Sequence, residues 1–178
     1  RSGDSAMAIY DIHTGIIREY FLMIKDLTNG YWGGNYGGWS QDMFDLANKN
    51  YAMQHIEGSD FVVKMIGGLA QIGIEEARRG VVNHAICFTA ADARKGVISW
   101  PAKGSDGRDT NPNAPAQGQW FRLPPDLDLN TLNLRPFTRL IAETVQKWGG
   151  FASDRNAFCH AFNCEPGFQE QALTGKDP

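Results

Sequence analysis

A mostly β fold of the α+β class, laid out as a β-sandwich or jelly roll with two helices, is predicted by three features of this 178-residue sequence. Strand-like stretches rich in aromatic and β-branched residues recur along it. Glycine-bearing turns punctuate those stretches. Only two segments carry helix signals, about 74–79 and about 135–148.

Ala6 to Asp11 and Ile16 to Lys25 read as a hairpin, with His13-Thr14-Gly15 as its turn and Gly15 supplying the positive φ. Alternation along the second strand places Ile17, Glu19, Phe21 and Met23 on one face, so Glu19 is an acid among core residues. After the turn Asp26–Gly30 comes Tyr31 to Trp39, dense in glycine and rings. It reads either as a bulged strand with rings packed over bare backbone, or as a platform on which Trp32, Tyr36 and Trp39 stack against sugar rings. Gly73 to Gly80 carries acids in its first turn, arginines in its last and a closing glycine. Val81 to Thr89 is predicted as a strand that sets His84 on the face of Val82, Ile86 and Phe88. Val97 to Trp100 reads as a short strand. Residues 101–119 follow as a long polar loop rich in proline and glycine, a length expected of a functional or mobile segment.

Trp120 to Leu123 is strand-like. Pro136 suits a first helical turn, Phe137, Leu140, Ile141, Thr144, Val145 and Trp148 fall at helical spacing, and Gly149 closes the helix. Phe151 to Phe162 reads as a closing hairpin turning at Asp154-Arg155-Asn156, and the last dozen residues as a frayed tail. Residues 1–165 are therefore read as one β-sandwich-like domain and 166–178 as a tail. The opening Arg1-Ser2-Gly3-Asp4, without a methionine, fits a processed or cropped part of a longer polypeptide.

Hydrophobic residues make up 42% and charged residues 21%, the balance of a folded chain, and the net charge of −3 argues against a duplex nucleic-acid binder. The longest apolar stretch, Phe61 to Gly73, is cut by Lys64 and glycines, so no membrane insertion is expected. Three cysteines make no disulfide framework, although the spacing of Cys159 and Cys164 permits a bridge.

Taken in order, Ile9-Tyr10-Asp11, Arg18-Glu19-Tyr20-Phe21, Gly38-Trp39, Gly68-Leu69, Asn83 to Thr89, Trp100-Pro101-Ala102, Ser105-Asp106-Gly107, Pro112 to Pro115, Phe121-Arg122-Leu123 and Lys147-Trp148-Gly149 form a pattern. This pattern, spread over most of residues 7 to 160, resembles a module of uncharacterised actinobacterial secreted proteins that minor tail proteins of actinobacteriophages also carry. The resemblance implies a β-sandwich with further strands N-terminal to this stretch, and a virion or extracellular location. It implies no established reaction.

Glu19, His84 and Asp106 are the polar groups that both match that pattern and stand where an apolar residue or plain loop would do. Glu19 with Asp106 suits a glycoside hydrolase, which needs two carboxyls flanking the bond. His84 with Arg122 suits a polysaccharide lyase, which needs a base beside a charge neutraliser. Structural alternatives stand beside each: an ion pair or backbone contact for Glu19, a core hydrogen bond for His84, turn chemistry for Asp106. No cofactor is expected, because phosphate loop, GxGxxG and GxSxG are missing. No metal is expected either: Cys159-His160…Cys164 lacks a fourth ligand for zinc, and Asp106, Asp109 and Asn111 lack a bidentate acid for calcium.

The function expected is that of a bacteriophage minor tail (tail-tip) protein domain with a structural or host cell-envelope glycan-binding role. Its ligand-contacting rings would be Trp32, Tyr36, Trp39 and Trp100. Its partners would be a cell-envelope polysaccharide and either copies of itself or other tail proteins. The alternative is a secreted or virion-borne polysaccharide-cleaving enzyme.

Overall fold

Asp11 sets the first turn. Its carboxylate accepts the amides of His13 and Thr14 at 2.9 and 3.3 Å, and these bonds, the His13 amide first, hold its carboxyl below the ordinary range. Gly15 follows at φ 71° and donates to the Asp11 carbonyl. The computed structural model, which describes residues 5–42 and 61–176, with backbone alone over 34–42, thus starts with the expected hairpin. Met7–Asp11 (β1) pairs antiparallel with Ile16–Lys25 (β2), and β2 with Trp32–Asp42 (β3). Ile17, Glu19 and Met23 are buried as the alternation requires. A bulge between Glu19 and Phe21, with Leu22 at φ 57°, shifts the register midway and leaves Phe21 half-buried.

The second sheet is built in the order β5-β6-β4-β7, from Ile86–Ala90 (β4), Trp120–Phe121 (β5), Gly150–Arg155 (β6) and Ala161–Phe162 (β7). β4 and β6 run parallel and the outer pairs antiparallel. The expected closing hairpin is therefore corrected: β6 and β7 do not pair with each other but flank β4. Ile86 and Cys87 are fully buried on opposite faces. Cys87 and Phe151 pack with Phe61, Val63, Met65 and Ala70, whereas Ile86 packs with Ile72, Val82, Leu140 and Val145. The apolar stretch after residue 60 thus covers one face, and Pro136–Trp148 (α2) covers the other.

Both expected helices form. Ile74–Arg79 (α1) has Glu75 and Glu76 in its first turn and Gly80 in the left-handed conformation after its last. In α2, Leu140, Thr144 and Val145 are buried, while Phe137 and Trp148 at the ends of the stripe are exposed. A third helix, Phe168–Thr174 (α3), occupies the stretch read as a frayed tail and is tied to α1 by an ion pair of Glu170 with Arg78.

Other expectations need correcting. The strand predicted from Val81 starts only at Ile86, because residues 81–84 are spent on closing α1: the Val81 amide bonds to the Glu76 carbonyl and His84 to the Glu76 side chain. The strand predicted at Val97–Trp100 is reduced to a single bridge between Ile98 and Gln117. Among the described residues the architecture is mixed α+β with two sheets and three helices, and the sheets form neither a closed barrel nor a clear sandwich. No disulfide joins Cys159 and Cys164.

Candidate functional site

Because β4 and β6 are parallel, their carboxyl ends, Ala90 and Arg155, meet at one edge of the sheet. Backbone groups beyond a strand end lose their ladder partners, so the loops there must supply polar contacts. Asp92 lies just past β4, and the long 101–119 loop folds back over this edge. It is not a loose excursion. The Asp109 amide bonds to the Ala93 carbonyl at 2.9 Å and the Lys95 amide to the Asp109 carbonyl at 2.8 Å. A Cβ on Gly107 would stand 2.4 Å from the Arg94 carbonyl oxygen, so only glycine lets the backbones approach this closely.

The anchor is Gln117, fully buried within the loop. Its amide oxygen accepts from the Ser105 hydroxyl at 2.6 Å and the Asp106 backbone N–H at 2.8 Å. Its amide nitrogen donates to Asp106 Oδ1 at 2.8 Å. The other Asp106 oxygen meets the Arg155 guanidinium at 3.2 Å, and Arg155 Nε donates to the Asp106 carbonyl at 3.2 Å. Asp92 stands 3.9 Å from Arg155 Nε and accepts the amides of Ala93 and Arg108. The result is a row of carboxylate, guanidinium and carboxylate. The Arg155 side chain is only 11% exposed, while those of Asp92 and Asp106 are 43% and 38% exposed. The two amide bonds fill Asp92 Oδ1, whereas Asp92 Oδ2 and the two Asp106 oxygens keep further acceptor capacity. A rigid, partly solvated pair of acceptors either side of a buried cation is suited to receiving hydroxyl donors from a ligand.

Of the residues singled out in the sequence, only Asp106 belongs to this row. Glu19 is 3% exposed and accepts the Gly68 backbone N–H at 2.8 Å, joining the first sheet to the turn at Gly67–Leu69. His84 donates from Nδ1 to the Ala85 carbonyl at 2.8 Å and faces Glu76 through Nε2 at 3.1 Å, which ties it to α1. Arg122 Nε donates to the Gln146 carbonyl at 2.8 Å, satisfying an orphan carbonyl in the last turn of α2. Glu19, His84 and Arg122 thus engage three separate parts of the fold. Trp32 is half exposed with the Lys25 ammonium 5.7 Å from its ring, and Trp100 is 70% exposed. The side chains of Tyr36 and Trp39 lie outside the described residues.

Sequence reasoning missed Asp92, Gln117 and Arg155. The available signal was weak: a charged pair, Asp154-Arg155, at the end of the apolar run Gly150 to Ser153, and a lone amide between small residues. Among the described residues no group of three or more His, Cys, Asp or Glu side chains is arranged to hold a metal ion. Asp109 and Asn111 spend their side chains on the amides of Asn111 and Asn113. No helix among the described residues is long and apolar enough to cross a membrane. No family model, curated protein or solved structure matches this chain.

Proposed function

We propose that this chain is a glycan-binding module of a bacteriophage minor tail protein, and that its ligand is a polysaccharide of the host cell envelope. The observation that carries this reading is the Asp92–Arg155–Asp106 row, held rigidly by a buried glutamine at an exposed strand edge. Binding sites combine a few well-placed polar groups with apolar surface, and the exposed rings of Trp32 and Trp100 supply apolar surface elsewhere on the chain. Association with copies of itself or with other tail proteins, a virion or extracellular setting, and completion of the two sheets into a β-sandwich belong to the same reading.

Binding is favoured over cleavage because Asp106 engages both its carboxylate oxygens, one with Gln117 and one with Arg155, and because Glu19 is enclosed. Affinity electrophoresis of the chain in gels containing host arabinogalactan tests the proposal. Retardation by the polysaccharide, reduced by Trp32→Ala or Trp100→Ala, is the expected result, and unretarded migration at every concentration refutes it. Cleavage of the same polysaccharide draws on the two partly exposed carboxylates beside Arg155. Release of reducing ends, abolished by Asp92→Asn or Asp106→Asn, would establish that activity instead.

A further inference from the structure

The sheet face that α2 covers at Ile86 continues along β4 to Phe88, which shares that face by alternation. Here four rings gather. The centroids of Phe121, His160 and Phe162 lie 4.7, 6.3 and 6.3 Å from that of Phe88, with interplanar angles of 88°, 56° and 51°. The rings are steeply inclined to Phe88 rather than stacked on it, and with Ala161 they line an open hollow of about 200 Å³. Among the described residues neither lysine nor arginine lines it, and its lining atoms are apolar. The Ala91 amide donates to His160 Nδ1 at 3.4 Å, which orients the ring.

The chemistry of that lining selects the ligand. Sugar hydroxyls or a compact inorganic cation would surrender water here without gaining hydrogen-bond partners. The volume falls below the roughly 300–1,000 Å³ of sites that enclose drug-sized molecules, so the occupant is a small head group. A methylated ammonium spreads its charge over methyl groups and needs no hydrogen bond. The negative faces of inclined aromatic rings attract it directly. We infer that Phe88, Phe121, His160 and Phe162 form a cage for a trimethylammonium group. This site is separate from the Asp92–Arg155–Asp106 row, and its success or failure leaves the polysaccharide proposal untouched.

The test is an NMR titration of the whole chain with choline chloride and, in parallel, with 3,3-dimethylbutanol, its uncharged isostere. Saturable shifts in the amides of Phe88, His160 and Phe162 with choline, and none with the alcohol, are expected. Phe162→Leu keeps an apolar side chain but removes the ring and should weaken choline binding by about fivefold or more, whereas Phe162→Tyr should retain it. Equal binding of the alcohol, undiminished choline binding in Phe162→Leu, or no saturable response to choline each overturns the inference. Soluble phosphocholine and vesicles of pure phosphatidylcholine then separate the two sources of the group. Retention on vesicles identifies a lipid head group, and binding of the soluble compound alone identifies a free solute; both outcomes keep the cage.

Discussion

Replacing Gln117 by alanine should destabilise the chain more than its position in a polar loop suggests. The side chain is fully buried and makes three hydrogen bonds, to the Ser105 hydroxyl, the Asp106 amide and the Asp106 carboxylate. At about 0.5–1.5 kcal/mol net for each bond, the loss should amount to about 2–4 kcal/mol. For a chain of this size, that lowers the melting temperature by about 4–16 °C. Gln117→Glu should cost more than alanine, despite its near-identical shape, because it sets a second carboxylate against Asp106 in a buried position. Urea denaturation followed by circular dichroism measures the difference, with an unchanged m-value as the check that only stability has moved. A loss below about half a kcal/mol in Gln117→Ala would show that the loop is not anchored through this amide and would remove the basis for a rigid site.

The loop's close backbone contacts make two related expectations: Gly107→Ala should cost about 1–3 kcal/mol through its clash with the Arg94 carbonyl, and in the native chain trypsin should make no early cut after Lys103 or Arg108. Denaturation midpoints and timed digests check these in turn, and an early cut at either residue would mean that the loop opens freely. Leu140→Ala, on the buried stripe of α2, should cost about 2–5 kcal/mol in the same urea assay; a near-neutral effect would place the helix differently. Burial pushes the Cys164 thiol up, although the residue as a whole retains exposed surface. Less thiolate is then present at pH 8, so iodoacetamide should label Cys164 more slowly in the folded chain than in denaturant, as peptide mass mapping would show. Equal rates would contradict the enclosed sulfur.

What was legible in the sequence was local. Helix α1 was readable from its charges and Gly80, α2 from Pro136, its apolar spacing and Gly149, and the first hairpin from the Gly15 turn, because each signal lies within the element it specifies. The pairing of β4 with β6 was not readable. Parallel strands meet through distant segments, and the run Phe151-Ala152-Ser153 looks locally like any hairpin arm. The same distinction governs the site. Asp106 drew notice through its Ser-Asp-Gly context, but the turn reading beside it concealed that its carboxylate reaches Gln117 and Arg155, which only the folded loop brings within reach. Glu19 is the acid among core residues that the alternation places there, whereas His84 lies before β4 and is about one-third exposed. Their partners, the Gly68 amide and Glu76, show that each ties neighbouring segments together.

The row of Asp92, Arg155 and Asp106 as a polysaccharide-receiving edge is tested most directly by isothermal titration of the whole chain with host arabinogalactan, comparing the native chain with Asp92→Asn/Asp106→Asn. The double variant should keep the native circular dichroism spectrum and bind about tenfold or more weakly, as expected when two charged acceptors of ligand hydroxyls are lost. An unchanged Kd in a folded double variant would place the ligand elsewhere on the molecule.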